Sequence, residues 1–417
     1  MTKYGTSPWL ARFPKSRVPS YQPYRGPLKA GTASRVDMAD AVIVGGGLTG
    51  CATAYALAAA GAKTLLLERQ RIGRGGTAFS TGWIADDPGV SFAALERSMG
   101  RRDARRAWQS WRRAALDFAA LVRRLEIKCE LEPRPSVTAA MTPDELARLK
   151  KERKARLEAG LETPFLTARA VRGETALEAA GGLRGREGGT LDPYRACVGL
   201  ARAAAARGAQ MFERSPVRRI TFTRKHADVH TAGGVIRTRR VVIATGFPTA
   251  LFESLERHFW FHSSYRVLTD PVPARIRQRL GSRQSVVRDS AKPPHIVRWL
   301  DDDRVLVAGA DSERVPSRLR DKVIVQRTGQ LMYELSTLYP DLSGVQPTYG
   351  WIHDYARTVD GLPYIGPHRN FPHHLFAWGD QSHSVTGAYL ASRVLLRYCS
   401  GEMDPADETF GFHRSID

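Results

Sequence analysis

Residues 40–68, DAVIVGGGLTGCATAYALAAAGAKTLLLE, decide the fold class of this 417-residue chain. A β-branched run, Val42, Ile43 and Val44, meets Gly45-Gly46-Gly47-Leu48-Thr49-Gly50 and then an alanine-rich helical stretch. A second apolar strand, Thr64 to Leu67, ends on Glu68. Each part has a task in holding a dinucleotide. Gly45 permits a tight turn, Gly47 lets the backbone approach a pyrophosphate, and Gly50 lets the helix pack close to the strand. The helix start at Leu48 and Thr49 offers unbonded N–H groups and a positive dipole end to phosphates. Glu68, 18 residues past Gly50, stands where a carboxylate accepts hydrogen bonds from ribose hydroxyls. A glycine-rich turn in an ordinary βαβ unit is the competing reading, and the acid at this distance favours the dinucleotide.

The length points to two intimately packed domains, and a hydrophobic fraction of 42% supplies a substantial core. No run approaches the roughly 20 apolar residues of a membrane span. Residues 1–37 hold no apolar core of a secretory leader, so a cytoplasmic protein is expected. Cys51, Cys129, Cys197 and Cys399 are scattered without metal-ligand spacing, which predicts reduced, mostly buried thiols and no metal site. The formal net charge of +21 is the one extreme value, compatible with a nucleic-acid or anionic surface. Its densest stretch, Arg101 to Arg124, also carries Trp108, Trp111, Ala115, Phe118 and Val122 at helical spacing. That pattern predicts an amphipathic helix with a solvated arginine face, and no nucleic-acid-binding motif accompanies it.

Along the chain, residues 1–37 read as an extended arm lying across the folded body. The Arg71 to Trp83 segment is a glycine-rich loop. Thr142-Pro143-Asp144-Glu145 is a capping box with proline at the first helical position. Another helix is expected from Tyr194 to Arg207. Strand-like runs follow at 217–222, 227–231, 234–238 and 241–245, with a hairpin turn at Gly233-Gly234. Residues 265–306 again suggest strands, forming an antiparallel sheet. Helices are expected over 318–339 and 388–398.

Three motifs now stand in order: GGGLTG with Glu68, the glycine-rich loop after that acid, and VVIATG at 241–246. Together they resemble flavin oxidoreductases of the D-amino-acid-oxidase superfamily, which includes glycine oxidase, monomeric sarcosine oxidase and γ-glutamylputrescine oxidase. The stretch Trp351 to Gly366, WIHDYARTVDGLPYIG, looks like that family's W-x-G-x-x-x-x-T-x-D-G-x-P-x-I-G segment and extends the resemblance to nearly everything after residue 38. The resemblance implies an α/β protein with a discontinuous Rossmann-like FAD-binding domain and a second, antiparallel-sheet substrate domain. The FAD domain is expected at 38–100, 185–250 and 350–417, and the substrate domain at 101–184 and 251–349 with helical insertions.

On that resemblance Gly45, Gly47, Leu48, Thr49 and Gly50 hold the pyrophosphate of FAD, and Glu68 with Arg69 the adenosine ribose. Val217 matches a position that meets the adenine, while Thr245, Gly246 and Gly361 match turns near the cofactor. Gly75, Thr77 and Ser80 are candidates for the pyrophosphate-to-flavin region. The family's loop before the last helix, G-x-x-G-[HN]-G, wraps the pyrimidine edge of the flavin. Here it reads Gly379-Asp380-Gln381-Ser382-His383-Ser384-Val385-Thr386-Gly387. Gly379 and His383 match, but Ser382 and Ser384 replace two glycines. Thr386 stands where sarcosine oxidase has a lysine that pairs with the substrate carboxylate, and Arg298 is a candidate compensating cation. His353 falls where sarcosine oxidase carries the cysteine that bonds to the flavin, so a covalent link through His353 is an alternative to non-covalent FAD. His383, Tyr265, Trp299 and Trp351 are candidates for the substrate pocket, with core or sheet packing as the competing reading.

The function expected is FAD-dependent oxidation of the C–N bond of a small amine or amino acid. The substrate loses a hydride to flavin N5, the imine hydrolyses, and O2 or another acceptor takes the electrons. Three alternatives remain: a dehydrogenase for a hydroxy acid or glycerol phosphate, a flavoenzyme modifying tRNA, and a flavin-binding interaction protein without catalysis.

Overall fold

The computed structural model describes residues 1–26, 36–380 and 385–415. An eight-stranded sheet carries the fingerprint. The strand Asp37–Val44 pairs in parallel with Thr64–Leu67 on one side and Gly234–Gly246 on the other. Gln210–Phe212 and His374–Trp378 extend the parallel set outward. The strand Gly234–Gly246 is continuous, where sequence suggested two. Its first half closes a hairpin with Ala227–Thr231, and its second half enters the parallel core. Val42, Ile43, Leu65, Leu66, Val241, Val242 and Ile243 are wholly buried, as expected of strands covered on both faces.

The helix Leu48–Ala59 follows the fingerprint turn and is buried nearly all round. Its alanines let neighbouring helices approach closely. One neighbour is Pro193–Ala206, whose start is fixed by Pro193 and by Asp192 accepting hydrogen bonds from the Tyr194 and Arg195 N–H groups at 2.9 and 3.0 Å. The predicted capping box at Thr142 and Glu145 is present. The arginine-rich stretch forms the 24-residue helix Arg101–Arg124. Its apolar face, including Trp111, Phe118 and Val122, shares one core with Leu48, Leu57 and Leu395. This helix therefore packs with the dinucleotide layer, and not with the substrate domain where residues 101–184 had been expected. The reason is its apolar stripe, which faces the helix Thr386–Ser400.

The second sheet has nine strands in the order Lys3–Tyr4, Pro347–Arg357, Trp260–Thr269, Val305–Glu313, Ile296–Trp299, Val286–Asp289, Ser136–Ala140, Gly181–Gly185 and Phe165–Thr167. It is antiparallel except at its first pair and at Val286–Asp289 against Ser136–Ala140. Residues 350–357 thus belong to this sheet, although sequence placed 350–417 with the dinucleotide domain. The helix Arg320–Leu338 covers one face, burying Ile324, Leu331 and Leu335 against Tyr265, Val267 and Val307. The N-terminal arm is extended only in part. It adds the edge strand, forms the short helix Pro8–Ala11, and buries Trp9 and Tyr24. Cys51 and Cys197, remote in sequence, bring their sulfurs to 3.7 Å beneath the fingerprint turn. Among the described residues no helix is long and apolar enough to cross a membrane.

Candidate active site

A cleft of about 1240 Å³ runs from the fingerprint turn to the second sheet. At its nucleotide end Gly45 and Gly50 shape the turn through close backbone contacts. Gly45 has φ +111°, and a Cβ there would lie 2.5 Å from the Ala244 carbonyl oxygen. Gly50 does not line the cleft. A Cβ on it would fall 1.9 Å from the Gly45 carbonyl oxygen, so its role is to let the helix sit on the turn. Gly47, Leu48 and Thr49 line the cleft at the helix start. The Leu48 N–H donates to Thr77 Oγ1 at 2.8 Å, which leaves the Thr77 hydroxyl proton available to an anion.

Glu68 lines the same end with Arg69 and Val217. Its carboxylate accepts from the Gly46 and Gln70 N–H groups, both at 2.7 Å, and so is held by backbone donors on either side. Each oxygen keeps a further lone pair for a ribose hydroxyl. Gly75, Ser80, Thr245, Gly246, Gly379 and Val385 also border the cleft. Gly75 has open space where a side chain would stand, the condition for close approach of a ligand to its backbone. This cradle of small residues, helix N–H groups and a fixed carboxylate fits a dinucleotide such as FAD.

Gly361 and Thr386 stand elsewhere. Gly361 lies in a buried turn closed by Thr358 Oγ1 donating to the Leu362 carbonyl at 2.8 Å. Thr386 donates to the Ala85 carbonyl at 2.8 Å and opens the last helix, its side chain fully buried. Gln381, Ser382, His383 and Ser384 lie outside the described residues.

The sheet wall of the cleft differs from expectation. Side chains alternate along Pro347–Arg357, so Trp351, His353 and Tyr355 share one face. They stand opposite Arg266, Ser264 and His262 of the neighbouring strand. This face meets the turn at 76–79: Trp351 Nε1 donates to the Phe79 carbonyl at 3.1 Å, and a Cβ on Gly76 would lie 3.2 Å from His353 Cε1. His353 and Tyr355 line the cleft, but Trp351 does not. Trp351 is packed among Trp9, Ala78 and Trp83, where it supports the turn from behind. Tyr265 and Trp299 also lie off the cleft, in the core that the helix Arg320–Leu338 helps to form, because large rings on these strands complete that apolar layer. Arg298 is no candidate for substrate binding. It is fully buried, donates to the Thr81 carbonyl at 2.7 Å, and burial lowers its pKa to about 10.

Sequence reading missed Tyr355 and Asp311. Tyr355 Oη donates to Asp311 Oδ2 at 2.7 Å across the sheet. Burial raises the phenol's pKa well above its usual value, and the Asp311 charge adds to this. Arg266 lies close by, wholly buried, its pKa lowered to about 10 by burial against the opposing pull of Asp311 and Tyr355. The period-two spacing from His353 to Tyr355 was a usable signal, whereas nothing local linked either to Asp311. Glu213 was also missed. It ends the strand Gln210–Phe212 as Glu68 ends its own, and its buried carboxylate accepts from the Ile72 N–H at 2.9 Å.

A family described as FAD dependent oxidoreductase (DAO) matches residues 40–397. The chain is 26% identical to γ-glutamylputrescine oxidoreductase of Escherichia coli (strain K12) over 374 residues, covering 88% of this chain and 85% of that protein. It is 24% identical to glycine oxidase of Bacillus licheniformis over 385 residues, covering 87% and 91%. Among solved structures, glycine oxidase from Geobacillus kaustophilus superposes with a TM-score of 0.75 at 20% identity, covering 92% of this chain and 100% of that one. The last likeness concerns the fold, which it shares across both sheets. With a family match spanning the fingerprint, the second sheet and the final helix, this chain belongs to the DAO family of FAD-dependent oxidoreductases.

Proposed function

We propose that the protein oxidises the C–N bond of a small primary or secondary amine, using FAD held non-covalently in the cleft. The observation that carries this reading is the continuity of the cleft, from the Gly45–Glu68 cradle to the polar wall at His353 and Tyr355. The names of two relatives, γ-glutamylputrescine oxidoreductase and glycine oxidase, support amine chemistry at that wall. FAD, when bound, supplies a hydride acceptor at flavin N5. The chain's own residues do the rest. Gly45, Gly47 and the Leu48–Thr49 helix start bind the pyrophosphate, Thr77 donates its hydroxyl to it, and Glu68 fixes the ribose. The wall of the second sheet orients the amine and excludes water. The imine product hydrolyses to a carbonyl compound, and O2 or another acceptor takes up the electrons.

The arginine-rich helix supports a solvated face over a tRNA groove. Arg101, Arg106 and Arg113 pair with Glu96, Asp103 and Asp117, and Arg112 with Glu187. Four of the helix's eight arginines are thus paired with carboxylates at its surface. We place the protein in the cytoplasm on its four scattered, free thiols.

Anaerobic addition of amines, amino acids and hydroxy acids to the FAD-loaded protein tests the reading. Bleaching of the flavin by an amine is expected, and subsequent admission of oxygen distinguishes oxidase from dehydrogenase. Bleaching by hydroxy acids alone would overturn it. Denaturation should release all the yellow colour; colour retained by the wild type and lost in His353→Ala would establish a covalent link instead.

A further inference from the structure

Three consecutive backbone carbonyls, those of Phe79, Ser80 and Thr81, are each held by a buried side chain from a remote part of the chain. Trp351 Nε1 donates to Phe79 at 3.1 Å, Trp9 Nε1 to Ser80 at 3.0 Å, and Arg298 Nη1 to Thr81 at 2.7 Å. Trp351 and Arg298 come from the second sheet, and Trp9 from the short helix Pro8–Ala11 of the N-terminal arm. The donors also pack together. The Arg298 guanidinium lies 5.5 Å from the centroid of the Trp9 ring, and Trp9 and Trp351 share one apolar cluster with Ala78 and Trp83. On its other side the turn they hold borders the cleft through Gly76, Thr77, Phe79 and Ser80. A peptide unit is planar, so tying three carbonyls sets the planes of three successive peptides. Ser80 stands between two of them. Its Oγ accepts from the Gly82 N–H at 3.4 Å and keeps its proton for a ligand. The arm is tethered on both sides of Trp9: the Gly5 N–H donates to the Gly350 carbonyl at 2.8 Å, and the Tyr24 N–H to Ser215 Oγ at 2.9 Å. A buried indole N–H needs a partner wherever it packs. Packing alone does not require three such donors to converge on consecutive carbonyls of one turn.

We propose that Trp9, together with Trp351 and Arg298, clamps the turn at 79–81 from behind, which makes the N-terminal arm a positioning element for FAD. This rests on FAD lying in the cleft and is independent of the amine reading. Thr77 and Ser80 then present their hydroxyls to the cofactor from a backbone that cannot recoil. The entropy of ordering the turn is met on folding rather than on binding, which favours tight retention of the ligand. The donor types suit the task. Indole and guanidinium groups donate and never accept, so all three act on carbonyls alone. The charge on Arg298 strengthens its bond to Thr81. Losing any one donor leaves a buried carbonyl without a partner, and the turn must shift to regain one.

The test measures FAD affinity and FAD release on the full chain. Wild type, Trp9→Phe, Arg298→Met and the double variant are titrated with FAD as apoproteins, followed by flavin fluorescence, and their thermal midpoints are taken without FAD. Trp9→Phe keeps an aromatic ring in the cluster and removes only the donor. It should weaken FAD binding on the order of 10-fold, the scale of one buried hydrogen bond left unmade, through faster release. Arg298→Met should weaken it by a similar factor. The double variant should lose much less than the product of the two, because both side chains tie the same turn. Arg12→Ala breaks the arm's ion pair with Asp302 at 2.9 Å, away from the turn, and should bind FAD as the wild type does. A merely structural role for Trp9 would lower the midpoint of the apoprotein and leave FAD affinity unchanged. Should Trp9→Phe fail to fold, Arg298→Met carries the test at the adjacent carbonyl. Unchanged affinity in the folded variants, losses that multiply in full, or an equal loss in Arg12→Ala overturns the proposal. A wild type that binds no FAD would overturn the placement of FAD in the cleft first, and this clamp with it.

Discussion

The two ends of the cleft are built on opposite principles. At the nucleotide end the working groups are backbone N–H groups, made accessible by glycines within one 29-residue unit and clamped by a single carboxylate. At the sheet wall the cleft is lined by side chains instead, among them His353 and Tyr355 of the strand Pro347–Arg357. The first end recognises what every member of a cofactor class shares. The second is free to vary with substrate, because exchanging a side chain on a strand leaves the backbone register intact. The comparison teaches where change is tolerated. Changes at the nucleotide end should cost fold and cofactor together, and changes at the wall should cost chemistry alone.

The sharpest way to break this contrast is Gly50→Ala. One methyl group there would collide with the Gly45 carbonyl oxygen, a backbone atom that cannot swing aside. The turn must move, so the protein should purify almost without flavin and lose about 3 kcal/mol of stability, the upper range for overpacking. Absorbance at flavin wavelengths and a denaturant midpoint measure both. Full flavin content in this variant would show that the helix does not need to sit on the turn.

A smaller effect is expected from Glu68→Gln. Both carboxylate oxygens accept backbone N–H groups, from Gly46 and Gln70, so an amide nitrogen in either place faces a donor. FAD affinity should fall roughly 10- to 100-fold, the range for losing a charge-assisted hydrogen bond. Titration of the apoprotein with FAD, followed by flavin fluorescence, reads it. An unchanged affinity would remove Glu68 from the ribose.

The same contrast explains what could be read from sequence. The Gly45–Glu68 cradle is local, and its spacing reflects helix and strand geometry, so its parts were legible one by one. Thr77 and Ser80, singled out beside flanking glycines, border the cleft. Tyr265, Trp299 and Trp351 were singled out as aromatic residues on strands of the second sheet, yet the structure packs them behind or away from the cleft. Aromatic identity carries no information about which face of a strand it occupies. That depends on register, and the bulge between Ser263 and Tyr265 shifts register where no sequence pattern announces it. The helix Arg101–Arg124 shows the same gap. Its amphipathic pattern was plain, but which core its apolar stripe would join depends on contacts far along the chain.

Away from both ends, His295 provides a control for pH work on the wall. Burial opposes its charge, but hydrogen bonds and charge from Asp289 and Glu334 outweigh this and push its pKa up to about 9. The protonated form is favoured by the fold, so its contribution is fully present below about pH 6.5, the unfolded value, and is lost as pH rises through 9. With solvent screening at this partly exposed site, the loss should be roughly 1–2 kcal/mol. Urea midpoints at pH 6 and pH 9.5 should differ accordingly, and His295→Gln should flatten that part of the profile. A variant as pH-sensitive as the wild type would place the titration elsewhere. Flavin reduction should not follow this profile, which separates global stability from chemistry in the cleft.

The smallest effect closes the comparison by reversing the sign of the largest. Gly173 lies exposed in the helix Ala168–Thr175, and a Cβ there would meet nothing within 4 Å. Gly173→Ala makes the same chemical change as Gly50→Ala, one added methyl group. Here it only reduces the freedom of the unfolded chain and improves helix propensity, so stability should rise by about 0.5–1 kcal/mol with flavin content unchanged. The two variants together isolate the cause. If both lose flavin, glycine content as such matters to this fold. If only Gly50→Ala does, the loss belongs to one contact, the helix seated on the Gly45 carbonyl, and the nucleotide end owes its intolerance to backbone touching backbone.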